Sequence, residues 1–262
     1  MLKSVLVGDV GGTNVRFAIA QADENGLASL HHVWRSPAND FDSFGDALAH
    51  FLKVTPQNDH PANAVFALAG PVDNNSVSLT NRAWTLRRDD LMTRFGFERL
   101  VFMNDFAAMA RSIPELPESA FSLLQAGEPG STLAPRTTLA VAGAGTGLGQ
   151  ALLVGERDAG WTVLPTEGGH QPFAPITPYE SEIHDALRRE NDYVSIELIC
   201  SGRGLEKVYY AIANIQGRAA AKLTASDITE QAKTGDSLAV DTCEFAANSL
   251  MSFIGNAVLS SG

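Results

Sequence analysis

The chain has 262 residues, 45% of them apolar, enough to fill the core of one large domain or two modest ones. Its 30 acidic against 19 basic residues give a formal charge of -11. That balance argues against nucleic acid or an anionic membrane as a partner, while a local pocket could still hold a nucleotide. The opening residues lack a basic segment followed by an apolar run, and no stretch approaches the roughly 18 apolar residues of a membrane span, so a soluble cytoplasmic protein is expected. Cys200 and Cys243 are too few for a disulfide framework or a zinc cluster and read as reduced thiols.

In chain order, the first segment is Leu6–Ala20, LVGDVGGTNVRFAIA. Val15, Phe17 and Ile19 alternate with Arg16, Ala18 and Ala20, the period of a half-buried strand. The glycine turn therefore joins two strands, which excludes the strand-to-helix phosphate loops of Walker and Rossmann type. Phe44, Leu48, Phe51 and Leu52 then predict a helix over 42–53, and 64–70 and 100–103 read as strands. Asn104 and Asp105 close the latter, ahead of a helix over 106–113. Strands and helices are mixed, so the class is α/β. Gly127–Arg136 reads as a surface connection.

Residues 137–154 repeat the opening pattern of apolar strand, glycine-rich turn and apolar strand. The remainder reads as helices over 178–191, from 195 with a break near Ser201 and Gly202, and over 237–260, with Leu250, Phe253 or Ile254 expected at the surface. Two units are expected, 1–110 and 111–262.

The chemistry is concentrated in four places. Two glycine turns, Gly8, Asp9, Val10, Gly11, Gly12, Thr13, Asn14 and Gly145, Thr146, Gly147, would offer free backbone N–H groups and hydroxyls to a polyphosphate. Each alone could equally be a tight hairpin without a ligand. Asp9 would repel bare phosphate but can hold the hydrated Mg2+ that accompanies ATP. Asn104 and Asp105 stand where side chains leave a sheet edge toward a cleft, and also where Asn and Asp cap helices. Glu167-Gly168-Gly169-His170 suits a tight turn that aims an acid and an imidazole the same way, fitted to a polyhydroxylated substrate. His31, His32, His50, His60 and His184 read as ordinary core or surface histidines.

The motifs GDVGGTN.R (8–16), TN..W (80–84), NDF (104–106), GAGTGLG (143–149), EGGH (167–170) and VS.E...SG.GL (194–205) occur in this order. Together they resemble the bacterial glucokinase family along nearly the whole chain. The resemblance implies a two-lobed actin-like (ribonuclease H-like) sugar kinase fold and ATP-dependent phosphorylation of glucose to glucose 6-phosphate. It implies Asp105 as catalytic base and Asn104, Asp105, Glu167, His170 and Glu197 as sugar ligands. Glucose and ATP are then the partners, Mg2+ the companion ion, and a homodimer the candidate assembly. Tyr193 stands where the family usually has His, and Leu198 where it has Arg. The family continues past the counterpart of Gly262 with a glycine-rich strand that helps enclose the adenine, so the fold is expected to be C-terminally truncated, with an inactive sugar-binding regulator as the alternative function.

Overall fold

The computed structural model describes residues 4–23, 28–70, 72–73, 75–79, 83–124, 136–156 and 160–261, and the chain divides into two compact units between Met109 and Ala110. In the first unit the alternating opening segment forms β1 (Ser4–Val10) and β2 (Asn14–Ala22), and β3 (Ala28–Pro37) follows. Helix α1 (Phe44–Val54) is capped by the Ser43 hydroxyl, which accepts from the Asp46 N–H. Next come β4 (Asn63–Leu68), the short β5 (Ser76–Ser78) and β6 (Thr85–Arg87), α2 (Arg88–Phe95), β7 (Arg99–Asn104) and α3 (Asp105–Ser112).

The main sheet has the order β3-β2-β1-β4-β7. Its first three strands are antiparallel neighbours, whereas β1, β4 and β7 run parallel. Phe17 sits at the centre of a ring cluster with Trp34, Phe44, Phe51 and Phe66, centroids 5.5–6.0 Å away. A Cβ at Gly8 would come within 2.7 Å of the Phe66 ring and 2.9 Å of the Phe17 ring, so this glycine makes room for the core. Val10 is fully buried. The side-chain positions of Gly8 and Val10 thus face inward, and their backbones are paired with β2 on one side and β4 on the other, the Val10 carbonyl also accepting from the Ala69 N–H at 3.1 Å, so these two expected nucleotide contacts are part of the sheet instead.

The second unit holds a three-stranded antiparallel sheet, β8 (Arg136–Ala144), β9 (Leu148–Glu156) and β10 (Gly160–Thr166), in the order β10-β9-β8. A single 3-10 turn, Gly168–His170, follows β10. Helices α4 (Pro178–Arg188), α5 (Ile196–Cys200), α6 (Gly202–Ile215), α7 (Ala225–Lys233) and α8 (Ser237–Ser261) complete it. Ser201 ends α5 and caps α6, its hydroxyl accepting from the Gly204 N–H at 3.1 Å, which is the break expected there. Capping boxes at Thr177/Glu180 and Thr224/Asp227 start α4 and α7. Ile183, Ile199, Val208, Ile212 and Ile228 form the centre of this core.

Three expectations change. Residues 160–166 form a strand that the sequence reading left unassigned. The helix at 178–191 stops at Arg188, where the Asn191 amide donates to the Leu187 carbonyl at 2.7 Å. On α8, Phe253 is buried, and Leu250 and Ile254 pack against the core; the exposed apolar residues are Met251, Val258 and Leu259, because α8 turns the face containing Phe245 and Phe253 inward. Of the connection expected at 127–136, residues 127–135 lie outside the described residues, as do Thr80 and Asn81. Among the described residues, no helix is long and apolar enough to cross a membrane.

Candidate active site

In the first unit, Val10 pairs with Leu68 on β4, and Leu68 with Asn104 on β7. Parallel strands in that register bring the glycine turn after β1 and the Asn104-Asp105 pair after β7 to one carboxyl edge of the sheet, the edge where α/β folds bind ligands. With strands roughly 4.8 Å apart, the two lie about 10 Å from one another across β4.

The turn itself is closed by the Gly11 N–H donating to the Asn14 carbonyl at 3.0 Å, and the Thr13 carbonyl accepts from the Ala38 N–H at 2.9 Å. Two arginines organise its side chains. Arg16, directly across the hairpin, forms an ion pair with Asp9 in which each side chain is about half exposed. Arg35 on β3 donates through Nε at 3.2 Å and Nη2 at 3.1 Å to the Asn14 Oδ1. Because a guanidinium only donates, the Asn14 carbonyl oxygen must face it, so the amide NH2 points away. Arg35 is a contributor that the sequence reading missed; no residue pattern around it gave a signal.

Asn104 caps α3: its Oδ1 accepts from the Ala107 N–H at 3.1 Å while its Nδ2 donates to the Gly70 carbonyl at 3.4 Å. The capping role weighed for this pair is therefore real for Asn104. Asp105 begins the helix half-buried, its Oδ1 accepting from its neighbour's N–H, Phe106, at 2.9 Å.

In the second unit, Glu197 and the EGGH turn both meet the start of β9, at Leu148. The Leu148 N–H donates to the Glu197 Oε2 at 2.9 Å. A Cβ on Gly169 would strike the Leu148 carbonyl, and one on Gly168 would strike the Gln150 side chain. Both glycines of EGGH are there because the turn lies directly on β9. Glu167 and His170 then project from this turn, largely exposed, with Oε2 and Nε2 4.0 Å apart. Gln150, buried and accepting from the Thr166 hydroxyl at 3.2 Å, floors the turn and was also missed.

The second glycine turn is held by the same carboxylate. A Cβ at Gly147 would sit 2.6 Å from the Glu197 Oε2, the Gly145 N–H donates to the Gly147 carbonyl at 2.7 Å, and the Gly145 carbonyl accepts from the Gly202 N–H at 2.9 Å. Thr146 is exposed at its tip. Beside it opens a cavity of about 280 Å³ lined by Gly145, Ser201, Gly202, Ala225, Ser226 and Thr229 among others, facing the starts of α6 and α7. Cys200 is on its wall, and burial pushes its thiol up to about 12.

Paired glycine hairpins and acid-bearing turns on α/β units of this connectivity define an actin-like sugar kinase fold. Solved structures agree. The chain matches a glucokinase from an Antarctic psychrotroph with a TM-score of 0.84 and 32% identity, over 100% of this chain and 80% of that one. It matches the glucokinase of Balamuthia mandrillaris, solved in complex with glucose, with a TM-score of 0.77 and 26% identity, over 99% and 77%. The family description "Glucokinase" matches residues 6–262, and the glucokinase of Nitrobacter hamburgensis is 37% identical over 260 residues, 98% of this chain and 78% of the relative. The chain belongs to the glucokinase family.

Proposed function

We propose that this chain binds glucose and ATP and transfers the γ-phosphoryl group to the sugar 6-hydroxyl. The observation that carries the reading is the placement of Asp105 on the same sheet edge as the first glycine turn, within a family matched along the whole chain. Asp105 takes the hydroxyl proton as the sugar oxygen forms its bond to phosphorus; the bond from that phosphorus to the bridging oxygen breaks and ADP leaves with the electron pair. Glu167, His170 and Glu197 hold sugar hydroxyls, with carboxylate oxygens as acceptors and the imidazole as donor or acceptor. Asn104 contributes what its cap leaves over.

The exposed Thr13 at the tip of the first turn, the oriented Asn14 amide and the Gly145–Gly147 turn receive phosphate oxygens, and the cavity beside Gly145 receives the rest of the nucleotide. Asp9 fits a hydrated Mg2+, which would offset developing charge on the phosphoryl group: it is one half-exposed carboxylate with an oxygen committed to Arg16, and among the described residues no three His, Cys, Asp or Glu could cage an ion. With this activity go the cytoplasm as the compartment and a homodimer as the assembly, which sedimentation of the purified chain would test.

A coupled assay of this chain with glucose, ATP and Mg2+ tests it. Equimolar ADP and glucose 6-phosphate are expected; glucose binding with no ADP formed would instead favour the regulator.

A further inference from the structure

Beyond the 3-10 turn that carries Glu167 and His170, the chain runs antiparallel to the segment leading into α5. The Phe173 N–H donates to the Val194 carbonyl and the Ile196 N–H to the Gln171 carbonyl, each at 2.9 Å, around the isolated pair Pro172 and Ser195. The antiparallel sense puts His170 and Glu197 at the same end of this clip. A third rung comes from a side chain: the Tyr193 hydroxyl reaches back along the pair and donates to the His170 backbone carbonyl at 2.7 Å.

Glu167 and His170 have side chains 69% and 65% exposed, so no core packing fixes them and their aim depends on the backbone of the turn. Gly168 and Gly169 are pinned against β9, but His170 stands at the turn's far end, beyond that contact. The phenol is what holds the carbonyl of this last residue.

We propose that Tyr193 is a positioning residue of the sugar site, clasping the His170 peptide so that the imidazole and the Glu167 carboxylate face the sugar together. This rests on the reading of Glu167 and His170 as sugar ligands. Without the clasp the His170 peptide is held only by its other end, the Gln171 N–H donating to the Gly168 carbonyl at 3.0 Å, and each bound sugar must bear the cost of ordering what this single bond leaves loose.

Tyr193→Phe removes one oxygen from a half-exposed ring and leaves the two backbone rungs intact. The glucose KM is expected to rise roughly 3–10-fold, the worth of one hydrogen bond, with the ATP KM and the Tm nearly unchanged. In the sugar-free protein, amide exchange is expected to quicken at 168–171 and to stay the same at Phe173. Unchanged glucose KM and unchanged exchange in the variant would overturn the clasp while wild-type turnover leaves the kinase reading standing. If neither protein turns over, glucose affinity by calorimetry replaces KM; a wild type that binds no glucose overturns both readings, whatever the exchange data show.

Discussion

The Glu197 carboxylate accepts the backbone N–H of Leu148, 49 residues earlier in the chain, at 2.9 Å. Leu148 is buried, so this donor has no water to fall back on. Glu197→Ala should therefore lower stability by about 1–3 kcal/mol, a Tm loss of several degrees. Glu197→Gln still offers an acceptor oxygen and should keep the Tm while weakening glucose binding. Thermal melts and calorimetry on the two variants separate the structural duty from the sugar contact; an unchanged Tm in Glu197→Ala would show the bond to be worth nothing.

Much of this arrangement was readable in the chain because it depends on local pattern. The alternation at 15–20 and its echo at 137–154 gave both hairpins, and Ser201-Gly202 gave the break between α5 and α6. The acid and imidazole around two glycines pointed to a turn, but not to its reason: Gly168 and Gly169 are small because β9 lies against them, a contact made by residues about 20 positions away. Strand β10 was missed for the same reason. Its exposed Leu164 and Pro165 give no clean alternation, and pairing with β9 decides its conformation. Arg35, with two hydrogen bonds to one oxygen, and Tyr193, with one, act on residues distant in the chain, and such contacts leave no period in the sequence.

Asp105→Ala should cut kcat by about 10²–10⁴-fold and change glucose affinity only modestly, since a base acts on the transition state. The Asn104 cap on the Ala107 N–H survives the substitution, so α3 should remain folded. Steady-state kinetics beside a glucose titration checks this. Near-normal kcat would remove Asp105 from the mechanism.

Glu167→Gln exchanges an acceptor-only oxygen for an amide that can present its NH2 to a hydroxyl. In a sugar complex that excludes water, one mispaired group costs about 1–3 kcal/mol, or roughly 5–150-fold in affinity. The side chain is 69% exposed in the free protein, so the melting temperature should hardly move. Calorimetry with glucose reads the difference; equal affinities would place Glu167 outside the sugar contacts.

Asp46, in the first turn of α1, accepts from the Ser43 hydroxyl at 2.6 Å and from Arg94 Nη2 at 3.0 Å. The Ser43 bond first, and Arg94 second, hold its carboxyl below the usual carboxylate value. A carboxyl whose folded pKa is depressed stabilises the fold above its unfolded pKa, and that stabilisation disappears as the pH falls through the folded value. Asp46→Asn should accordingly lower the Tm at pH 7, with the gap to wild type closing below about pH 4. A constant gap across that range would mean the charge contributes nothing.

Gly168 and Gly169 offer a comparison in which the same added methyl meets two kinds of neighbour. At Gly168 it would strike the end of the Gln150 side chain, and at Gly169 the backbone carbonyl of Leu148. A side chain can swing aside, at the cost of its hydrogen bond from the Thr166 hydroxyl, whereas a carbonyl inside a paired strand cannot move without breaking the β9 ladder. Gly169→Ala should thus force the whole turn off β9, costing more than the roughly 1–3 kcal/mol typical of an overpacked site and carrying His170 out of place. Gly168→Ala should fold with a smaller loss and keep part of its glucose affinity. Melting curves and glucose titrations of both variants check the order, and a Gly169→Ala protein as stable as Gly168→Ala would show that the turn is not pressed against Leu148.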